Sequence, residues 1–269
     1  GVWHQICVTY FLQRRWTLKI FFRMDDLDSD LRDAVDFFWT KRTGQSSRQG
    51  MSRGARDIGN RAAVTGGKQM HGFAQLIRAV LVENGVDSTC IKIEQKEVSG
   101  ELPGFYRPTK KWDVLVVSSE CLLAAIELKS HIGPSFGNNY NNRVEEAVGS
   151  ASDFWVAYRE KAFPLTPRPW LGYMLLLEDA SASRQPVRVK QPYFPVFSEF
   201  VDASYLERYS ETVQRLVRER LYDAACFVTS PNPTLNGAAG EYHEPVAALR
   251  FRAFVSALVG HVTAQLHMD

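Results

Sequence analysis

Trp112-Asp113-Val114-Leu115-Val116-Val117 and Leu122-Leu123-Ala124-Ala125-Ile126-Glu127-Leu128-Lys129 are two apolar, strand-like runs separated by a short polar break. A buried strand does not carry charges unless they are paired or hold a metal. Asp113, Glu127 and Lys129 therefore need a reason. Strand side chains alternate, so Glu127 and Lys129 share a face, with Leu123 and Ala125 behind them. If the runs form an antiparallel hairpin, Asp113 lies opposite Glu127 when Ser119-Glu120-Cys121 is a three-residue connection, or when the loop differs from that by two residues. A two-residue loop puts Asp113 opposite Ile126, on the wrong face, because one step of register separates the carboxylates. Two carboxylates and a lysine suit cation-assisted phosphodiester cleavage: the carboxylates hold the cation, and the lysine stabilises transition-state charge or orients the water. The competing account is a solvated strand face carrying a common Glu-x-Lys pattern.

The residues around this trio narrow the choice. The chain reads Leu102-Pro103-Gly104-Phe105-Tyr106-Arg107-Pro108-Thr109-Lys110-Lys111 before Trp112, and Ser130-His131-Ile132-Gly133-Pro134-Ser135-Phe136-Gly137-Asn138-Asn139-Tyr140-Asn141-Asn142-Arg143 after Lys129. Gly72-Phe73, Trp170-Leu171-Gly172-Tyr173, Tyr193-Phe194-Pro195-Val196-Phe197 and Ala203-Ser204-Tyr205-Leu206-Glu207-Arg208-Tyr209 continue the pattern. From about Asp26 to Thr229 the chain resembles the XhoI family of type II restriction endonucleases. The resemblance implies an α/β restriction-endonuclease-like core of the PD-(D/E)xK type, with a mixed central sheet flanked by helices on both faces. It also implies dependence on Mg2+, a homodimer, and cleavage of both DNA strands at a short palindrome, CTCGAG in the family, leaving 5′ overhangs. A cognate methyltransferase would act on the same sequence without being a physical partner. Carried over, Asp113, Glu127 and Lys129 are catalytic, and Asp113, Glu127 and the Leu128 carbonyl hold the metal. Two departures stand out. No proline directly precedes Asp113, Pro108 being the nearest upstream. The early helix offers Glu83 as its acid, to which no metal role is given, and His71 is given none either.

Composition bounds the rest. At 269 residues with 45% hydrophobic content, the chain reads as one large domain with appendages. A formal charge of +2 does not announce a nucleic-acid binder, so any footprint is local. Cys7, Cys90, Cys121 and Cys226 form no C-x-x-C pair, which gives no zinc signature and fits a cytoplasmic protein. No run has the length and apolarity of a membrane span.

Four regions are expected. Residues 1–23 are an atypical extension, either sequence upstream of a start at Met24 or an extra hairpin. Residues 24–68 comprise a helix over Asp28–Trp39 and a mobile basic arm carrying Lys41, Arg42, Arg48, Arg53, Arg56, Arg61 and Lys68 against Asp57. That arm either orders on phosphates or is a solvated loop. Residues 69–230 form the nuclease core, with helices over His71–Glu83, Asn142–Lys161 and Ser204–Leu221 and strands at Cys90–Glu97, the hairpin, Trp170–Leu177 and Ala224–Val228. Residues 231–269 are a loop and a closing helix over Ala247–Leu266. Ser183–Phe200, rich in proline, lies extended over the surface. Alternating helices and strands of this kind define an α/β class.

Candidate DNA contacts fall on both sides of the hairpin. Arg107, Lys110 and Lys111 are read as phosphate contacts on a loop, with electrostatic balance for Asp113 as the alternative. The Asn138, Asn139, Asn141, Asn142 and Arg143 segment is read as a base-reading loop, since amides match adenine and guanidinium matches guanine in the major groove. Its alternative is turn chemistry with Asn142 as a helix cap. His131 either touches a phosphate or is a hinge residue bonded to backbone. Glu145 and Glu146 are assigned to the helix's first turn, where they favour its dipole. A structure- or end-specific repair nuclease and a catalytically inactive DNA-binding module are the rival functions. The asparagine-rich segment argues against the first and the intact charged trio against the second.

Overall fold

A strand covered on both faces reads as a near-continuous apolar run, and here five strands assemble into one sheet with cover on both sides. The computed structural model describes residues 26–49, 69–94, 100–163, 167–235 and 237–267, with side chains described through residue 43 in the first segment. The extension at 1–23 and the part of the basic arm beyond residue 49 lie outside the described residues. Helix α1 spans Leu27–Gln49, α2 His71–Glu83, α3 Phe136–Arg159, α4 Ser181–Arg184, α5 Tyr205–Arg218 and α6 Phe251–Leu266. Strands are β1 Ile91–Ile93, β2 Glu101–Pro103, β3 Thr109–Lys111, β4 Val114–Ser118, β5 Cys121–His131, β6 Trp170–Glu178 and β7 Ala224–Ser230.

The central sheet has the order β1-β4-β5-β6-β7. Strands β1, β4 and β5 are antiparallel neighbours, while β5, β6 and β7 run parallel. This mixed sheet is covered on both faces, as expected. Val114, Val116, Ile126, Leu128, Met174 and Val228 pack with residues of α1, α2 and α6. Leu115, Ala125, Leu171, Leu175 and Phe227 pack with Ala151 and Phe154 of α3 and Tyr209 and Val213 of α5. Strand β6 is buried at every position, which explains its continuous apolar sequence. Helix α5 starts where a capping box dictates: Ser204 Oγ accepts from Glu207 N–H, and the Glu207 carboxylate accepts from Ser204 N–H at 2.7 Å.

The β4–β5 hairpin corrects the expected loop. Its turn is two residues, Ser119 and Glu120, with φ of 48° and 69°. Paired left-handed residues make the turn whose twist matches the flanking strands. Ser118 faces Cys121 and Val117 faces Leu122, but the next pair is Val116 with Ala124. A bulge in β5 thus adds the residue that the short turn lacks, and Val114 falls opposite Ile126. The register deduced for Asp113 and Glu127 holds, by a different route. The bulge also turns Leu123 onto the α1/α2/α6 face, not behind Glu127.

Other boundaries shift. Helix α1 runs ten residues beyond Trp39 into the segment read as an arm, and Trp39 Nε1 donates to Ser230 Oγ at 2.8 Å, fixing α1 to the end of β7. Residues 101–111, read as loop, form the β2–β3 hairpin, in which Glu101 pairs with Lys111 and Pro103 with Thr109. The prolines sit where this short ribbon ends, so they do not interrupt its pairing. The first strand, expected over Cys90–Glu97, is found at Ile91–Ile93, and residues 95–97 lie outside the described residues. Helix α3 begins at Phe136, six residues before the expected start. Segment 185–197 has no regular structure and exposes Tyr193, Phe194 and Phe197.

Candidate active site

Asp113 immediately precedes β4, and its N–H donates to Ile126 O at 3.1 Å, which locks it beside β5. Its Oδ2 accepts from Leu128 N–H at 2.7 Å. Successive residues of a strand direct their backbone groups to opposite edges, so the Leu128 carbonyl lies on the same edge as that of Ile126, toward Asp113. Glu127 is buried, with 3% exposure, on the face covered by α3 and α5, and pairs in register with Tyr173 of β6. Lys129, two residues on, extends along the same face and forms a short ion pair with Glu127 Oε1. The sheet thus brings together Asp113, Glu127 and Lys129 as the sequence predicts, midway along the β5–β6 pairing.

A fourth charge completes the cluster. Lys110 Nζ lies 2.6 Å from Glu127 Oε2 and 4.2 Å from the centroid of the Trp112 ring. Its side chain is 9% exposed, so it is held within this site and not on the open loop expected for it. The β2–β3 pairing, invisible as long as 101–111 is read as loop, is what carries it there.

The field within the cluster follows from burial and pairing. Burial pushes the Asp113 carboxyl up, the neighbouring Glu127 charge adds to this, and against Lys129, the Leu128 N–H and Lys110 it stands at about 7. Glu127 also suffers burial, but the Lys129 and Lys110 ammonium groups outweigh it and hold the carboxyl below its ordinary value. For Lys129, burial opposes the charge while Glu127 and Asp113 favour it more strongly, so its ammonium is held above the usual range. Glu146 of α3 adds to that field. It lies in the third turn of α3 because the helix begins at Phe136, so neither it nor Glu145 serves the helix N-terminus as expected. The Tyr173 phenol is pushed up by burial and stays neutral.

The donor set suits a hard divalent cation. Two carboxylates and a backbone carbonyl are oxygen ligands of the kind Mg2+ takes, with water completing the shell. Two ammonium groups already stand on Glu127, as positive charge placed where a cation's charge is wanted. Among the described residues, no group of three or more acidic, histidine or cysteine side chains gathers as a ligand cluster.

The expected DNA-contacting residues divide. Lys111 is exposed and pairs with Glu94 at 3.2 Å. Arg107 gives its Nε to Asp153 Oδ2 at 2.8 Å, while Asp153 Oδ1 also accepts from Phe105 N–H and Tyr106 N–H at 2.8 Å. Its guanidinium is therefore part of a clamp that fixes the β2–β3 tip to α3. Asp153 was missed, although an acid on the Ser150-Asp153-Phe154-Ala157 stripe of a helix is a visible signal that something polar meets that face. His131 is 2% exposed and its Nδ1 lies 2.5 Å from Tyr209 Oη, so it is a buried corner residue and not a phosphate contact. Burial pushes its imidazole down to about 4, opposed by the Ser135 backbone.

Asn138, Asn139, Asn141, Asn142 and Arg143 lie in the first two turns of α3 and not in a loop. Asn138, Asn141 and Asn142 are exposed and share one helical face, while Asn139 is half-buried. Turn chemistry and a cap at Asn142 therefore do not explain them; Ser135 is the cap position. Arg143 pairs with Glu146, and its Nε reaches Ser130 O at 3.4 Å. The buried side of these turns is pinned: Phe136 stacks on Tyr205 with centroids 5.8 Å apart, and Tyr140 Oη bonds Thr212 Oγ1 at 2.8 Å.

Comparison with known proteins meets this geometry. The family model described as Restriction endonuclease XhoI matches residues 49–244. The type II restriction enzyme BstVI of Geobacillus stearothermophilus is 48% identical over 215 residues, covering 78% of this chain and 94% of the relative. XhoI of Xanthomonas vasicola is 42% identical over 192 residues, 71% of this chain and 76% of the relative. AbrI of Azospirillum brasilense is 44% identical over 169 residues, 63% of this chain and 74% of the relative. No solved structure matches the chain. With a mixed sheet covered on both faces and a family match spanning most of its length, the chain belongs to the XhoI family of restriction endonucleases.

Proposed function

We propose that this chain is a site-specific double-stranded DNA endonuclease that hydrolyses phosphodiester bonds with Mg2+. We infer that it acts as a homodimer on a palindrome of the CTCGAG kind, with a methyltransferase protecting the same sequence. The observation that carries the reading is the registered convergence of Asp113, Glu127 and Lys129 on one face of the sheet. The type II restriction enzymes among its relatives support the reaction class.

Asp113, Glu127 and the Leu128 carbonyl would hold Mg2+, which supplies Lewis-acid polarisation of a phosphoryl oxygen and a more acidic water. The Leu128 N–H orients the Asp113 carboxylate through a fixed hydrogen bond. Lys129 keeps its proton, so it does not act as the base; its ammonium stabilises negative charge that develops on the phosphorane-like transition state. Water adds to phosphorus and a phosphoester oxygen departs. Beside this, the exposed asparagine face of α3 reads base edges. Asparagine is a poor helix former, so three exposed asparagines in two turns work against the local structure and are accounted for by an external partner. Lys111 contacts phosphate.

Digestion of mapped plasmid DNA with Mg2+, followed by sequencing of the ends, tests the proposal. Discrete bands at one palindrome support it; a smear favours a nuclease without sequence choice, and specific binding in Ca2+ without cutting in Mg2+ favours an inactive module. Glu127→Ala and Lys129→Ala should each abolish cutting in a folded protein that still binds DNA. Cleavage at the wild-type rate by either variant refutes the assignment.

A further inference from the structure

Both oxygens of Glu127 are engaged by ammonium groups, Oε1 by Lys129 and Oε2 by Lys110. Lys110 is held there by more than its charge. Its Nζ also donates to Lys111 O at 3.0 Å, and the ammonium lies over the Trp112 ring. It comes from a separate two-stranded ribbon, whose tip is clamped to α3 by Asp153 and exposes Tyr106. Each carboxylate oxygen keeps a second lone pair, but an ammonium in contact with it repels a cation that approaches the same oxygen. Lys129 follows Glu127 on the same strand, while Lys110 reaches Glu127 from the β2–β3 ribbon, outside the central sheet.

We propose that Lys110 is a positioning residue that occupies the cation-facing oxygen of Glu127 and yields it when DNA phosphate competes for the ammonium, so that cation loading depends on DNA. The inference rests on the active-site reading above. Lys110 shields a buried carboxylate in the absence of substrate. When DNA is present, the same charge faces the backbone, and Glu127 is released to the cation. Because coupling of this kind is reciprocal, the cation in turn tightens DNA binding.

The test uses the intact chain and Ca2+, titrated calorimetrically without DNA and again with a duplex carrying CTCGAG. Lys110→Met keeps the packing on Trp112 and removes the charge. It should bind Ca2+ without DNA at least about tenfold more tightly than the wild type, given the strength of charge interactions at such short range. The wild type should gain affinity on adding the duplex, and Lys110→Met should gain less. Lys92→Met removes the same charge from β1 and should change Ca2+ affinity by less than about twofold, the interaction being screened at a distance. Thermal melting checks that each variant is folded, and Lys110→Gln replaces Lys110→Met if the latter is not. Glu127→Gln separates the two ideas. If it abolishes Ca2+ binding while Lys110→Met binds no more tightly than wild type, the role of Lys110 is wrong and the site stands. If it binds Ca2+ normally, the site itself is wrong. A gain on adding DNA that is equal in wild type and Lys110→Met also overturns the proposal.

Discussion

Acidification from pH 7.5 to pH 5 should remove a contribution to stability made by one histidine in particular. His131 ends β5, is almost wholly buried, and has its imidazole depressed from 6.5 to about 4 by that burial. In the unfolded chain the ring takes up a proton as pH falls below about 6.5; in the folded protein it does not until about pH 4. Over this interval the unfolded state binds more protons, so stability is lost as pH falls. At pH 5 the difference corresponds to about 2 kcal/mol, from roughly 1.5 pH units at about 1.4 kcal/mol each. Urea unfolding followed by tryptophan fluorescence at both pH values measures the loss. His131→Gln remains neutral throughout, so it should lose about 2 kcal/mol less than the wild type over the same interval. Carboxylates held low in the folded state, such as Asp153 and Glu207, add to acid lability, and Asp113, whose carboxyl is raised to about 7, opposes it because the folded state takes up that proton first; all three act equally in both proteins. Equal losses in wild type and variant would refute the reasoning. His131 also packs on Phe136, the first residue of α3, with ring centroids 5.0 Å apart.

Three further substitutions test the scaffold. Glu120→Gly relieves a left-handed residue in the hairpin turn and should raise stability by about 0.5–1 kcal/mol, read as a higher urea midpoint at unchanged slope. Gly172→Ala should cost about 1–3 kcal/mol, since a Cβ there would stand 2.3 Å from the Trp170 ring and 3.0 Å from Phe254, and a neutral effect would show that β6 has slack. Asp153→Asn weakens three hydrogen bonds at once and should cost about 2–4 kcal/mol, with increased proteolysis at the 104–107 tip as its local signature.

Much of the architecture could be read directly because it rests on local rules. The α2 stripe of Phe73, Leu76, Ile77, Val80 and Leu81 is buried as its spacing requires, and Ser204 with Glu207 marks the start of α5 by reciprocal hydrogen bonds. The register of Asp113 and Glu127 was legible for a different reason. Parity demands that Asp113 and Glu127 share a face, so the number of residues between them was constrained even while their path was not. Turn length and bulge are interchangeable ways of supplying one residue, and apolar neighbours such as Leu122 and Leu123 do not reveal which is used. What escaped the sequence depends on pairing between short, polar elements. Lys110 reaches Glu127 because β2 and β3 form a ribbon with little apolar alternation to betray it. The start of α3 was hidden because asparagines read as turn formers, whereas the aromatic residues Phe136 and Tyr140 hold those turns against α5 and override the weak local preference.

On the proposed function, the charges of the candidate site also give a reason for substrate and cation to arrive together. When Asp113 and Glu127 are both ionised, Lys110 and Lys129 balance them, and a neutral, internally bonded cluster is the arrangement that best tolerates burial. Adding a divalent cation to this cluster leaves an excess of two positive charges among partly dehydrated groups. A scissile phosphate and its neighbour along the DNA backbone supply negative charge of about that size. The cation and the DNA each neutralise what the other leaves unbalanced, so they favour one another's binding without any larger rearrangement. Lys110 determines how much of that coupling is mechanical, since it is the cation's competitor before DNA binds and a phosphate's partner afterwards. The same account explains the lowered Glu127 and raised Asp113: the two lysines converge on one carboxylate and leave the other with burial and repulsion, ready for the ion that relieves both.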